Sequence, residues 1–143
     1  MASVKKTITI HAPVKKIFDY INQPTNVPEF WPSLVEVRDV EKLPDRRHRY
    51  RWVYKMAGMR FEGSTEDAEI VPNQRIVAEN KGGIGGTITW TFHPEDGGTR
   101  VTFEAEYTVP IPLLGKLAEA VIVRQNEREA EVLLANLKAR MEA

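Results

Sequence analysis

Three histidines, four tyrosines and no cysteine bound the side-chain chemistry open to this chain of 143 residues. His48 and Asp67 face each other if the segments that carry them pair through a turn at Ala57-Gly58, and a histidine oriented by a carboxylate is able to act as a general base. The pair stands far from that turn, where a bulge easily breaks register, so a surface or edge contact is the plainer expectation. His11 and His93 lie just before Pro13 and Pro94 and read as loop residues. Histidines scattered in this way lack metal-ligand spacing, so neither a metal site nor a cofactor is expected. With no cysteine, thiolate nucleophiles, disulfides and thiolate zinc sites are excluded. No catalytic residue is identified.

The polar groups that remain are better suited to holding a ligand than to transforming one. Tyr50, Tyr54 and Tyr107 fall on apolar positions, where a buried phenol needs a partner and can offer one to a bound molecule. Asn126 interrupts the apolar stripe of a helix between Val123 and Ala130, and Asn80 shares the inward parity of Ile76 and Ala78. Each either meets a cavity or sits half in solvent. The stretch KGGIGGT, Lys81 to Thr87, has glycines that suggest phosphate binding, but it precedes a strand where a nucleotide loop follows a strand and opens a helix. A bulged strand connection or a close backbone approach is expected there.

These groups are positioned by elements that the hydrophobic period reveals. Val4 to Ile10 alternates as a first strand ended by Pro13. Pro13 to Ile21 repeats at three and four as a short helix, and Thr25 or Asn26 is placed to cap a second one through Val27 to Trp31. Six alternating segments follow, Ser33 to Val40, Arg47 to Met56, Met59 to Val71, Arg75 to Asn80, Thr87 to His93 and Thr99 to Val109. Their short connections imply an antiparallel sheet. Leu113 to Met141 reads as one long helix with Pro112 near its first turn. Its later stripe of Ala130, Leu133, Leu134, Leu137 and Met141 is rotated away from Leu114, Leu117 and Val121, and the polar stretch Arg124 to Arg128 separates the two.

Parity requires an even loop at Ala57-Gly58, because an odd one would turn a strand inside out. That register pairs Tyr54 with Phe61, Trp52 with Gly63, Tyr50 with Thr65 and His48 with Asp67 on an apolar inner face. It pairs Arg49 with Glu66 and Val53 with Glu62 on a wet outer face. Trp90 and Phe103 share the inner parity of their own strands. The inward aromatics are core or cavity wall by pattern alone.

The composition bounds the partners. Lys plus Arg equals Asp plus Glu, 20 against 20, so no whole-molecule field favours nucleic acid or an anionic membrane surface. The basic stripe Arg47, Arg49, Arg51 and Lys55 has no aromatics beside it for base stacking, which argues against nucleic acid locally. No apolar run approaches a bilayer span and no leader pattern opens the chain, so a soluble, cytoplasmic protein is expected. The length fits a single domain over residues 1–143, and nothing decides between a monomer and a weak dimer.

The order strand, two short helices, six strands and a long helix carries several local signatures. They are PEFWPSL before the second strand, AEIVPNQRIV across the fourth and fifth, TITWTFHPEDGGTRVTFEAEY across the last hairpin and a terminal LLANLKARMEA. This pattern resembles the helix-grip (START/SRPBCC) superfamily over nearly the whole chain, and most closely bacterial polyketide cyclase/dehydrase-like proteins. The resemblance implies an α+β helix-grip fold, a seven-stranded antiparallel sheet wrapped around a long C-terminal helix, with two short helices between strands 1 and 2. It also implies a cavity between sheet and helix for a hydrophobic small molecule of the lipid, polyketide or quinone class. The ligand-binding residues would then be Tyr50, Trp52, Tyr54, Phe61, Trp90, Phe103, Tyr107, Val121 and Asn126. The alternative is an aromatase/cyclase that folds a reactive chain in the same cavity and moves a proton with a polar group.

Overall fold

The computed structural model describes residues 1–110 and 115–143. Seven strands form one antiparallel sheet: β1 (Ala2–Ile10), β2 (Leu34–Lys42), β3 (His48–Met56), β4 (Met59–Val71), β5 (Arg75–Gly82), β6 (Gly86–Glu95) and β7 (Gly98–Tyr107). Their spatial order is β1-β7-β6-β5-β4-β3-β2. Only β1 is out of sequence, and the helix α1 (Val14–Ile21) with the 3-10 segment Pro24–Glu29 carries the chain from one sheet edge to the other. The long helix α2 (Lys116–Met141) lies in the grip of the sheet, which is the helix-grip fold that the resemblance implies. The expected helix start at Pro112 to Leu114 lies outside the described residues.

The expected register of β3 and β4 is the observed one from Arg49 to Met56: Tyr54 faces Phe61, Trp52 faces Gly63, Tyr50 faces Thr65 and Arg49 faces Glu66. It is set by a two-residue turn in which Ala57 and Gly58 both take positive φ, 52° and 78°. That geometry matches the twist of the flanking strands. A bulge interrupts the pairing of β4 with β5 between Asp67 and Glu69, and just beyond the last β3–β4 pair the His48 N–H donates to the Asp67 carboxylate instead of to a strand carbonyl.

Several local expectations are corrected. Pro24 takes the first position of the 3-10 segment, where its missing N–H costs nothing, and no side chain caps that segment. Asn26 instead donates to the carbonyl of Tyr20 at the end of α1. β6 runs on to Glu95, so His93 and Pro94 belong to the strand. Val53 points to the outer face yet is 2% exposed. Its cross-strand neighbours Glu36 and Glu62 both lie near the guanidinium of Arg38, and long side chains linked across a strand in this way can cover an apolar residue between them. Met59, paired with the buried Met56 beside the turn, is exposed.

The core is continuous from α1 across the sheet to the second half of α2. Phe18, Phe30, Ile17, Leu133 and Leu137 are among its fully buried members. Polar contacts tie this end of α2 down. Lys138 Nζ donates to the Thr9 carbonyl, Lys16 Nζ to the Met141 carbonyl, Asn136 to the Phe30 carbonyl, the Arg140 guanidinium to the Glu29 carbonyl, and the His11 N–H to Glu142. Among the described residues, the hydrogen bonds and ion pairs joining α2 to other elements fall from Asn126 onward. Leu117 and Val121 on its first half are exposed.

Candidate ligand cavity

Between the sheet and α2 lies a cavity of about 130 Å³. The strands supply its wall because the inner-face residues of β3 to β7 converge as the sheet curves around the helix. An aromatic chain runs along it. Phe30 packs edge-on against Trp90 with ring centres 6.0 Å apart, Trp90 meets Phe103 at 5.0 Å, Phe103 meets Trp31 at 5.3 Å, and Trp31 meets Tyr54 at 5.7 Å. Edge-to-face geometry of this kind fixes each ring without filling the space between sheet and helix.

Of the expected site residues, Tyr50, Trp52, Tyr54, Trp90, Phe103, Tyr107 and Asn126 line the cavity. Phe61 and Val121 do not. Phe61 has the inward parity, but the backbone of Gly83 crosses against its Cβ and donates to the Glu62 carbonyl, and the next residue, Ile84, takes the place on the wall. Val121 is 53% exposed, whereas its neighbour Ile122 is buried. The first half of α2 therefore presents the adjacent face of the helix.

The wall also holds residues outside that set. Thr65 and Asp67 lie on the inner face that parity assigns them, and Asn80 takes the cavity side of its two alternatives. Trp31 and Ile84 sit in irregular segments with no period to reveal them. Glu129 follows Asn126 by three positions on the same helix face, which was the available signal.

Polar groups on this wall are largely spent on one another. The Trp52 indole N–H donates to Thr65 Oγ1 at 2.9 Å, and Thr65 donates to Asn80 Oδ1. The Asn126 amide donates to the Tyr107 hydroxyl at 2.6 Å, the Trp31 indole to the Tyr54 hydroxyl at 3.3 Å, and the Ser33 N–H to Glu129 Oε1 at 2.9 Å. Burial raises all three cavity phenols: Tyr54 to about 12, Tyr107 upward against the opposing Asn126 bond, and Tyr50 upward with help from the nearby Asp67 charge. They therefore stand as neutral hydroxyls near neutral pH, able to donate or accept.

His48 and Asp67 are 7% and 5% exposed, so the pair is not the edge contact that the sequence favours. Asp67 Oδ2 accepts the His48 backbone N–H at 2.8 Å. The imidazole Nδ1 stands 3.5 Å from the same oxygen, too far for a well-formed hydrogen bond, and it has no other partner among the described residues. Burial raises the Asp67 carboxyl, and its contacts with His48 oppose that rise. Asp67 lines the cavity; His48 stands behind it. No group of three or more potential metal ligands occurs among the described residues.

The model of the family described as "Polyketide cyclase / dehydrase and lipid transport" matches residues 1–142. Solved structures share the fold at low identity. A protein from Thermus thermophilus aligns with a TM-score of 0.85 and 24% identity over 97% of this chain and 96% of its own. A START superfamily protein from Mycobacterium smegmatis gives a TM-score of 0.80 and 16% identity, over 99% and 98%. The Zhui aromatase/cyclase from Streptomyces sp. R1128 gives a TM-score of 0.79 and 15% identity, over 98% and 93%. No curated protein matches by sequence.

Proposed function

The chain belongs to the polyketide cyclase/dehydrase and lipid transport family, and from that membership and the cavity we propose that it captures a small apolar or aromatic molecule between sheet and α2. The observation that carries this reading is a cavity of about 130 Å³ walled by aromatic faces, with hydroxyls and amides at intervals. An apolar cavity of about 150 Å³ holds benzene in another protein, so one aromatic ring is the size that fits here. Among the ligand classes that the resemblance implies, a single-ring quinone meets this volume directly. A lipid or fused-ring polyketide requires the wall to widen. Among the described residues, the hydrogen bonds and ion pairs from α2 to other elements begin at Asn126, so its first half has none of these to oppose such movement. Solvent extraction of the purified protein followed by mass spectrometry tests the reading. A stoichiometric apolar compound is expected, and protein that neither carries nor takes up any such compound would refute it.

A cyclase-type activity is the second reading, favoured by one feature. The Asp67 carboxyl on the wall, with His48 Nδ1 at 3.5 Å behind it, is a pair able to hold a proton beside a bound chain. Cyclisation of a poly-β-ketone thioester by the wild type, abolished in Asp67→Asn, would support it.

A further inference from the structure

The charges on the cavity wall have one sign. The carboxyl groups among its lining residues belong to Asp67, Glu106 and Glu129, and no lysine, arginine or histidine lines it among the described residues. Glu106 is exposed, and Glu129 already accepts the Ser33 N–H. Asp67 differs from both. It is 5% exposed, its Oδ2 is engaged from behind by the His48 N–H, and among the described residues its Oδ1 accepts no hydrogen bond.

Resting on the capture function proposed above, we infer that the cavity selects a cationic ligand, a single-ring amine whose ammonium meets Asp67 Oδ1 and whose ring lies among Trp52, Trp90 and Phe103. Three physical arguments converge on this class. A buried carboxylate facing empty space is stabilised by a cation that brings its own hydrogen-bond donors. The aromatic faces of the wall attract a cation through their negative quadrupoles. An anionic ligand, such as a fatty acid or an aromatic carboxylate, would shed its water on entering and find no positive side chain on the wall. Burial raises the Asp67 carboxyl, and its contacts with His48 and the charge of Arg47 oppose that rise. Two cationic or protonatable side chains lie near Asp67 and both stand outside the wall. His48 Nδ1 faces Oδ2, and the Arg47 guanidinium donates to the Asp67 main-chain carbonyl at 3.3 Å. Neither occupies the cavity side of the carboxyl.

Three probes of equal size separate the possibilities: benzylamine, benzyl alcohol and benzoate, titrated calorimetrically into the wild type and Asp67→Asn at neutral pH. Benzylamine is expected to bind about tenfold more tightly than benzyl alcohol, the worth of one charge-assisted contact. Benzoate is expected to bind most weakly. In Asp67→Asn the affinity ratio of benzylamine to benzyl alcohol should fall from about ten to about one. If Asp67→Asn fails to fold, the order of the three probes in the wild type decides alone. Benzyl alcohol or benzoate binding as tightly as benzylamine overturns the inference and leaves the capture function standing. Binding of none of the three overturns both.

Discussion

The indole of Trp52 lies against Gly63, its cross-strand partner, so closely that a β-carbon on Gly63 would overlap the ring atoms Cζ2 and Cη2 and the carbonyl of Lys81. The same indole donates to Thr65 two residues on, so the ring that walls the cavity is held from two sides by β4. Glycine is required at this position by close approach.

Gly63→Ala should therefore displace the Trp52 ring or part β4 from β5. Overpacking of this kind costs about 2 kcal/mol. A urea titration followed by tryptophan fluorescence checks it, with a lowered midpoint and an altered native spectrum expected. An unchanged midpoint would mean that the strands absorb the methyl group without strain.

The strand pairing at this point is legible in the sequence, because a side-chain period of two allows only registers that keep Trp52 and Tyr54 on one face, and the Ala57-Gly58 turn supplies the even loop. Seven of the expected site residues follow from the same parity and from the stripe on α2. Phe61 and Val121 escape it for different reasons. Parity gives the face of a strand but not which residues on that face end beneath another segment, and the Gly82-Gly83 crossing covers Phe61. On the helix, the angular difference between Val121 and Ile122 is about 100°, enough to turn one into solvent and the other into the core. Burial of the His48-Asp67 pair, just beyond the last paired residues of β3 and β4, is a tertiary outcome that the local pattern does not encode.

Alkaline titration should find no tyrosine ionising at its ordinary value. All four tyrosines of the chain are raised: Tyr20 to about 12, chiefly by burial and then by its bond to Glu29, Tyr54 to about 12 by burial, and Tyr50 and Tyr107 upward by burial. A raised folded-state value means that the associated stability is complete below pH about 10, the unfolded phenol value, and is lost as pH rises through the folded values. Tyrosinate absorbance is expected to appear above pH about 10 together with loss of native circular dichroism. Ionisation of two or more tyrosines near their ordinary value in protein that stays folded would contradict the burial described here.

Truncation of a wall residue and of a core residue should differ. Phe18 is 1% exposed and meets Phe92 edge-on, so Phe18→Ala should cost about 3 kcal/mol or more. Tyr54 is half-buried and already borders the cavity, and the Trp31 N–H left behind can turn to water there. Tyr54→Ala should cost under about 2 kcal/mol, because fewer packed neighbours are lost. Urea midpoints of the two variants decide, and equal losses would show that Tyr54 is ordinary core.

Filling the cavity is the sharpest test of ligand capture. Ala105 lines the wall opposite Ile88, half-buried on the inner face of β7. Ala105→Phe should place a ring in the space assigned to the ligand. Calorimetric titration of wild type and variant with benzylamine and benzyl alcohol is the measurement. Saturable one-to-one binding by the wild type is expected, with binding at least about tenfold weaker in Ala105→Phe and folding retained. Equal binding by both proteins, or none by the wild type, would contradict capture in this cavity.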